Sequence, residues 1–209
     1  MTTPPNNLLV LIGGGGHALV VAEAAFDSGW EIAGFYDDRE DAPLSTLARR
    51  LGSMTDAAHA AGPGTAGMIL CVGDQSARPR LIEKMAGAVW FRVRHPSALV
   101  SRRANVGDGV YLGARCVVNI RASVGDHAII NTGAIVEHEC EIGTGAHIAP
   151  GVVLCGNVRV GAFTLVGAGA RVIPGVRIGG GCIIGAGAVV TRDLADGSRV
   201  AGVPARPIA

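Results

Sequence analysis

The chain is nearly without lysine: Lys84 is the only one, so arginine supplies almost all of its positive charge. Charges of the two signs almost cancel, leaving +1 at neutral pH with histidine neutral. Such a balance provides no basic footprint for a polyanion, which sets nucleic acid aside as a partner. Aromatic residues make up 4% of the chain, too few for a base-stacking platform. Mean hydropathy is +0.39, yet glycine and polar residues interrupt every apolar stretch before it reaches membrane-spanning length. The opening residues, Met1 to Asn7, hold neither a basic segment nor an apolar run of signal-peptide length, so a cytoplasmic location is expected. The cysteines Cys71, Cys116, Cys140, Cys155 and Cys182 are odd in number, scattered and without a CxxC pair. They read as reduced core residues, with neither a disulfide framework nor a metal site predicted.

What the chain does have is a period of six. From Val100 through Leu112, Ile130, Ile148, Val166 and Ile184 to Val190 an aliphatic residue returns at every sixth position, fifteen steps in 190 − 100 = 90 residues. Four positions after each of them comes a small or apolar residue, such as Cys116, Ala122, Ala134, Cys140, Ala146 or Cys182. Neither a helix nor an ordinary strand has that period. A triangular coil does: three hexads make one turn, each side a short strand, with the aliphatic residue inward and the small one filling the corner. Hexapeptide repeats specify such a parallel β-helix. Five coils at about 4.8 Å each make a prism roughly 25 Å tall. Glycines directly after the aliphatic residue, as at Gly107, Gly125, Gly143 and Gly161, are expected to relieve the turns.

Before the repeats, apolar runs alternate with helical patterns: strands at Leu8–Ile12, Glu31–Tyr36 and Met68–Val72, a helix from His17, another over Ser76–Gly87, and a last strand near Ala88–Val93. Alternation of this kind predicts parallel βαβ units, whose ligands bind beyond the carboxyl ends of the strands. There the sequence places Gly13–Gly16 and His17, then Asp37-Asp38, then Gly73-Asp74. A glycine-rich turn opening a helix exposes amides to a diphosphate. An acidic residue 37 − 13 = 24 positions on can reach a ribose hydroxyl. The same residues also fit a plain tight turn with aspartates capping a loop. The segment is too short for both halves of a dinucleotide fold, so a mononucleotide or a nucleotide-sugar suits it better than NAD.

One stretch of the repeats carries clustered polar groups. Glu137, His138, Glu139 and Glu141 place three carboxylates around one imidazole. A carboxylate beside a histidine fixes its tautomer and raises its basicity, the arrangement of a general base. His147 follows half a coil later, on another side of the prism, so a site using both histidines needs two neighbouring solenoids. His127, beside Asp126, reads as a surface residue. Spacings of 11 and 9 between His127, His138 and His147 do not suit a three-histidine zinc site. Cys140 sits at an inward position and reads as an inert core thiol.

With these residues in hand, the chain resembles the hexapeptide-repeat acyltransferases, and its Ala201-Gly-Val-Pro-Ala-Arg206 tail is similar to that superfamily's C-terminal signature. The Gly13–Ala18 turn together with Val136-Glu-His-Glu-Cys140 resembles, more narrowly, the nucleotide-sugar acetyltransferases. These include the bacillosamine-pathway and perosamine N-acetyltransferases and the sialic acid O-acetyltransferases. The resemblance implies a small Rossmann-like parallel βαβ domain over residues 1–95, a left-handed parallel β-helix over 96–196 and a tail over 197–209. It implies homotrimers with active sites between subunits, acetyl-CoA as co-substrate, no metal, and a nucleotide-sugar on the N-terminal domain. His138 matches the family's base and Glu139 its assisting glutamate. Gly15, Gly16, His17, Asp37, Asp38 and Gly73 match nucleotide-sugar contacts, and His147, Ala168 and Ala186 match coenzyme contacts. Gly15-Gly16-His17 departs from the related Ser-Gly-His form, so only the backbone of Gly15 is available to a phosphate. The expected reaction is N-acetylation of a nucleotide-linked 4-amino-4,6-dideoxy sugar, GDP-perosamine first and a UDP-linked sugar next. O-acetylation of the sialic acid type and a non-enzymatic scaffold are the alternatives.

Overall fold

The computed structural model describes residues 7–62 and 66–208; residues 1–6, read above for a leader, lie outside them. The chain divides into two units, Met1–Pro96 and Ser97–Ala209.

The first unit contains β1 (Leu8–Ile12), α1 (Gly16–Asp27), β2 (Glu31–Tyr36), β3 (Arg50–Gly52), α2 (Met54–Ala60), β4 (Gly67–Leu70) and α3 (Arg78–Lys84). These four strands form one parallel sheet, in the order β3-β2-β1-β4. The central strand β1 is buried from Leu9 to Ile12, as a strand covered on both faces must be. Helix α1 covers it with Ala18, Val21, Ala22 and Ala25, one apolar stripe at helical spacing. Strand β3 and helix α2 were not expected. A three-residue edge strand is too short to show a period, but Ser53 and Asp56 form a capping box that marks the start of α2. Helix α3 is shorter than the Ser76–Gly87 expected, because Asp74 accepts from the Ser76 amide at 2.9 Å and holds the preceding residues in a turn. The expected strand near Ala88 reduces to a Trp90 bridge with Met68 and a two-residue strand at Val93–Arg94.

In the second unit a two-residue strand recurs every six residues, and each pairs in parallel with the strand one coil, 18 residues, away, as in Ser123↔Glu141 and Glu141↔Arg159. Three faces result. The first carries Asn105–Val106, Ser123–Val124, Glu141–Ile142, Arg159–Val160 and Arg177–Ile178. The second carries Tyr111–Leu112, Ile129–Ile130, His147–Ile148, Leu165–Val166 and Ile183–Ile184. The third carries Leu99–Val100, Val117–Val118, Ile135–Val136, Val153–Leu154, Arg171–Val172 and Val189–Val190. The aliphatic residues from Leu112 to Val190 and the small corner residues from Val110 to Ala188 form one continuous buried core. The tail stays on the solenoid: Arg199–Ala201 continues the second face in parallel and Arg206–Pro207 returns antiparallel on it, giving the open end a cap.

Two expectations are corrected. The glycines directly after the aliphatic residue do not make the turns. The left-handed conformation falls two positions later, at Arg115, Arg121, His127, Glu139, Asn157 and Phe163 as well as at glycines. The earlier glycines serve coil stacking instead: a Cβ on Gly143 would lie 2.5 Å from the amide nitrogen of Ala162 in the next coil. His127 is not a surface residue but is buried at 6% exposure, its ring lying over Gly109, where a Cβ would meet Nδ1 at 2.5 Å.

Candidate active site

At the carboxyl end of the first unit's sheet, the turn from β1 to α1 is held by Asp37. Its Oδ2 accepts from the Gly14 amide at 2.7 Å, and its Oδ1 accepts from the Arg39 amide at 2.8 Å and, more weakly, from Arg39 Nε at 3.4 Å. Burial alone pushes the Asp37 carboxyl up, but the hydrogen bonds from Arg39 and Gly14 and the Arg39 charge outweigh it and hold it below its ordinary value. Asp38 Oδ1 accepts from the Met54 amide at 2.9 Å, at the first turn of α2. Both aspartates therefore organise the backbone.

The four glycines of the turn differ in what they do. Gly13 has φ +105°, and a Cβ on Gly14 would strike the Phe35 ring at 2.5 Å, so both are required by the fold. Gly15 and Gly16 are not: a Cβ on Gly15 would meet only the end of Arg39 at 3.5 Å, and one on Gly16 nothing within 4 Å. Gly73 after β4 is likewise open. Gly15 is the N-cap of α1 and supplies no side-chain cap. His17 is half-buried in that first turn. Gly15, Gly16, His17, Asp37, Asp38 and Gly73 thus all belong to one strand-end region of the sheet. Arg78, fully buried in α3, was missed by the sequence reading; its Nη1 donates to the Val72 carbonyl at 2.7 Å and fixes the chain just before Gly73. Burial lowers its guanidinium to about 10.

In the second unit, His138 and Glu139 occupy the corner between the third and first faces, His138 Nδ1 lying 3.2 Å from Glu139 Oε2. Glu139 has φ +62°, a conformation that turns its side chain back toward the preceding imidazole. Its other oxygen accepts from Arg121 Nη1 at 3.1 Å, one coil away. The hydrogen bonds from His138 and then Arg121 hold the Glu139 carboxyl below its ordinary value. The expected trio of carboxylates around the imidazole is corrected to one. Glu137 accepts from Asn119 at 2.9 Å and Glu141 pairs with Arg159 at 3.2 Å, each 18 residues off. Residues stacked on neighbouring coils meet more readily than neighbours in sequence, and listing partners at that interval is the signal that would have found Arg121. Cys140 is buried, its thiol pushed up to about 11 by burial, and donates to the Cys155 carbonyl.

An open groove of about 810 Å³ runs beside this corner along the first face, with Arg121, Ser123, Glu139, Glu141 and Arg159 in its walls. His147 lies on the second face, where its Nε2 accepts from Asn131 Nδ2 at 3.1 Å. Asn131, a buried polar residue, was also missed. Ala168 and Ala186 are exposed and stacked one coil apart at the corner between the second and third faces, the Gly187 amide donating to the Ala168 carbonyl at 2.8 Å. One solenoid therefore does not bring the predicted base and coenzyme contacts together: the whole third face separates the His138 corner from the Ala168–Ala186 corner. Among the described residues, no group of three or more His, Cys, Asp or Glu is placed to hold a metal ion, and no helix is long and apolar enough to cross a membrane.

Residues 8–85 match the family model of the PglD N-terminal domain. Residues 121–156 and 157–192 match the bacterial transferase hexapeptide model (six repeats), and 103–137 the hexapeptide repeat of succinyl-transferase. A comparison with curated proteins found no match. Among solved structures, the acetyltransferase domain of PglB from Neisseria gonorrhoeae is 36% identical with a TM-score of 0.91, covering 97% of this chain and 100% of that one. The same domain in complex with acetyl coenzyme A gives 36% and 0.90, over 97% and 100%. PerB from Caulobacter crescentus, in complex with CoA and GDP-perosamine, is 38% identical with a TM-score of 0.87, over 96% of this chain and 97% of that one.

Proposed function

The chain belongs to the bacterial hexapeptide-repeat acetyltransferases with a PglD N-terminal domain and a left-handed β-helix, and from that premise we propose that it acetylates the amine of a nucleotide-linked 4-amino-4,6-dideoxy sugar, using acetyl-CoA. GDP-perosamine is the first candidate acceptor and a UDP-linked 4-amino sugar the second. The observation that carries this reading is the His138–Glu139 pair, an imidazole with one nitrogen within hydrogen-bond distance of a carboxylate that lines an open groove. Full-length similarity to a protein solved with CoA and GDP-perosamine supports the choice of substrates.

The first unit holds the nucleotide. Gly15, Gly16 and Gly73 owe their lack of a side chain to no packing need, and close approach of a diphosphate to the backbone supplies one. His17 stands in the same helical turn, and the Asp37–Asp38 strand end lies toward the ribose. In the second unit, Glu139 accepts from His138 Nδ1–H, which leaves Nε2 as the basic nitrogen. Nε2 takes a proton from the sugar amine as the amine nitrogen attacks the thioester carbonyl. The C–S bond breaks as the tetrahedral intermediate collapses, and the imidazolium returns the proton to the departing thiolate. With both substrates held together no acyl-enzyme is needed, and alignment supplies much of the rate. His147, Ala168 and Ala186 hold the coenzyme. Because Ala168 and Ala186 lie across the third face from His138, and His147 lies on the second face, the site takes its base from one protomer and its coenzyme wall from a neighbour, which favours a closed trimer.

A thermal-shift titration tests the substrate assignment. CoA and the matching nucleotide, each at about 100 times its Kd, should add roughly 2.7 kcal/mol of stability. A chain that neither CoA, GDP nor UDP stabilises is not the proposed enzyme.

A further inference from the structure

Gly156 is a glycine without a backbone reason. It stands two positions after its aliphatic residue, Leu154, a place filled elsewhere in the repeats by Asp108, Ile120, Thr132, His138, Ala162 and Pro174 among others. The corner therefore takes side chains of many shapes. Gly156 is not in the left-handed conformation. Gly180, the other glycine at this place, has nothing nearer than 3.4 Å to an added Cβ. At Gly156 the three atoms nearest an added Cβ all belong to one ring: His138 Cε1 at 2.5 Å, Nε2 at 2.6 Å and Nδ1 at 3.2 Å. The two residues are stacked one coil apart, 156 − 138 = 18, and the Asn157 amide beside Gly156 donates to the His138 carbonyl at 2.9 Å. The imidazole thus leans along the solenoid axis and fills the space a side chain at 156 would occupy.

We infer that Gly156 is a positioning residue for acetyl transfer: the side chain it lacks is the seat of the His138 ring, and that seat keeps Nδ1 on Glu139 and Nε2 toward the acceptor. This rests on the reading of His138 as the base. The ring needs such a seat because its own side chain is 55% exposed and its contact with Glu139 is a surface pair, too weak by itself to fix one rotamer. A methyl group at 156 closes the seat. The ring, not the backbone, yields, since alanine already sits at this place in Ala162, Ala168 and Ala186 without disturbing the coil.

The test uses the full chain with Gly156→Ala, His138→Ala and the double variant. Turnover is measured beside the imidazole nitrogen signals of His138 in long-range 1H–15N spectra. Gly156→Ala should melt like wild type, lower kcat by as much as about 100-fold as a misplaced catalytic group does, and leave KM for acetyl-CoA little changed. It should cost nothing further in the His138→Ala background. The His138 signals should show the Nδ1–H tautomer in wild type and lose that preference in Gly156→Ala. Unchanged His138 signals in Gly156→Ala overturn the inference, as does a fall in kcat equally large without His138. Full turnover in His138→Ala removes the base assignment instead, and the spectra still decide whether residue 156 seats the ring.

Discussion

Two carboxylates, Asp37 and Glu139, stand at the two candidate sites and do opposite kinds of work. The Asp37 side chain is 12% exposed and gives both oxygens to amides of its own chain, Gly14 and Arg39, with Arg39 Nε a weaker third donor. Glu139 is 47% exposed and gives both oxygens to side chains, His138 and Arg121. Both carboxyls are held below their ordinary values. Yet the first shapes a backbone cradle, and the second aims an imidazole. A lowered carboxyl alone therefore does not say whether a residue serves fold or chemistry; the identity of its donors does. Changes at the first should be read in stability and nucleotide binding, and changes around the second in rate.

The largest effect should come from the second site. His138→Ala is expected to lower kcat by about 10²–10⁴-fold, the loss of a general base, with its melting temperature unmoved, since the ring is exposed. Asp37→Asn should do the reverse, costing about 1–3 kcal/mol in denaturant melts by weakening a buried hydrogen bond from Gly14 and a half-buried one from Arg39, and weakening nucleotide binding. The Asp37 contribution also has a pH signature. Its folded carboxyl is depressed, so the stability it adds is present above about pH 4 and lost as pH falls through the folded value. The gap between wild type and Asp37→Asn should close in acid. Gly143→Ala probes coil stacking within the solenoid, on the wall of the groove. Its Cβ would press on the Ala162 amide and the Gly161 carbonyl carbon, which cannot rotate aside, so about 1–3 kcal/mol of destabilisation is expected in thermal melts. The smallest effect belongs to Arg121→Gln. The pair it forms with Glu139 is 73% and 47% exposed and worth at most about 1 kcal/mol. A rate loss of no more than about fivefold follows, and a loss as large as that of His138→Ala would mean that Arg121 itself touches the substrate.

The solenoid was legible in the sequence because a period of six leaves no other common solution, and the strands fall where the hexads put them. The Gly13–His17 turn was legible for its chemistry, glycine before a helix. What escaped were effects that cross from coil to coil or lie within very short elements. The glycines after the aliphatic residues look like turn glycines along the chain; only stacking shows that Gly143 faces a backbone 18 residues on. Glu137 and Glu141 look like partners of His138 in sequence, but strand geometry sends them to Asn119 and Arg159. His127 looks exposed beside Asp126, but its left-handed corner folds the ring over Gly109. Strand β3 has only three residues, and Arg78 is charged, so neither carries a pattern that announces burial.

The most direct measurement is the mass of the product formed from acetyl-CoA and GDP-perosamine, run beside a UDP-linked 4-amino-6-deoxy sugar and sialic acid. The expected result is a gain of one acetyl group on one of the amino sugars, with matching thiol release and a product stable to mild base. Acetyl transfer to sialic acid alone, or a product that mild base reverses, would contradict N-acetylation and withdraw Gly15, Gly16, His17, Asp37 and Asp38 as nucleotide-sugar contacts.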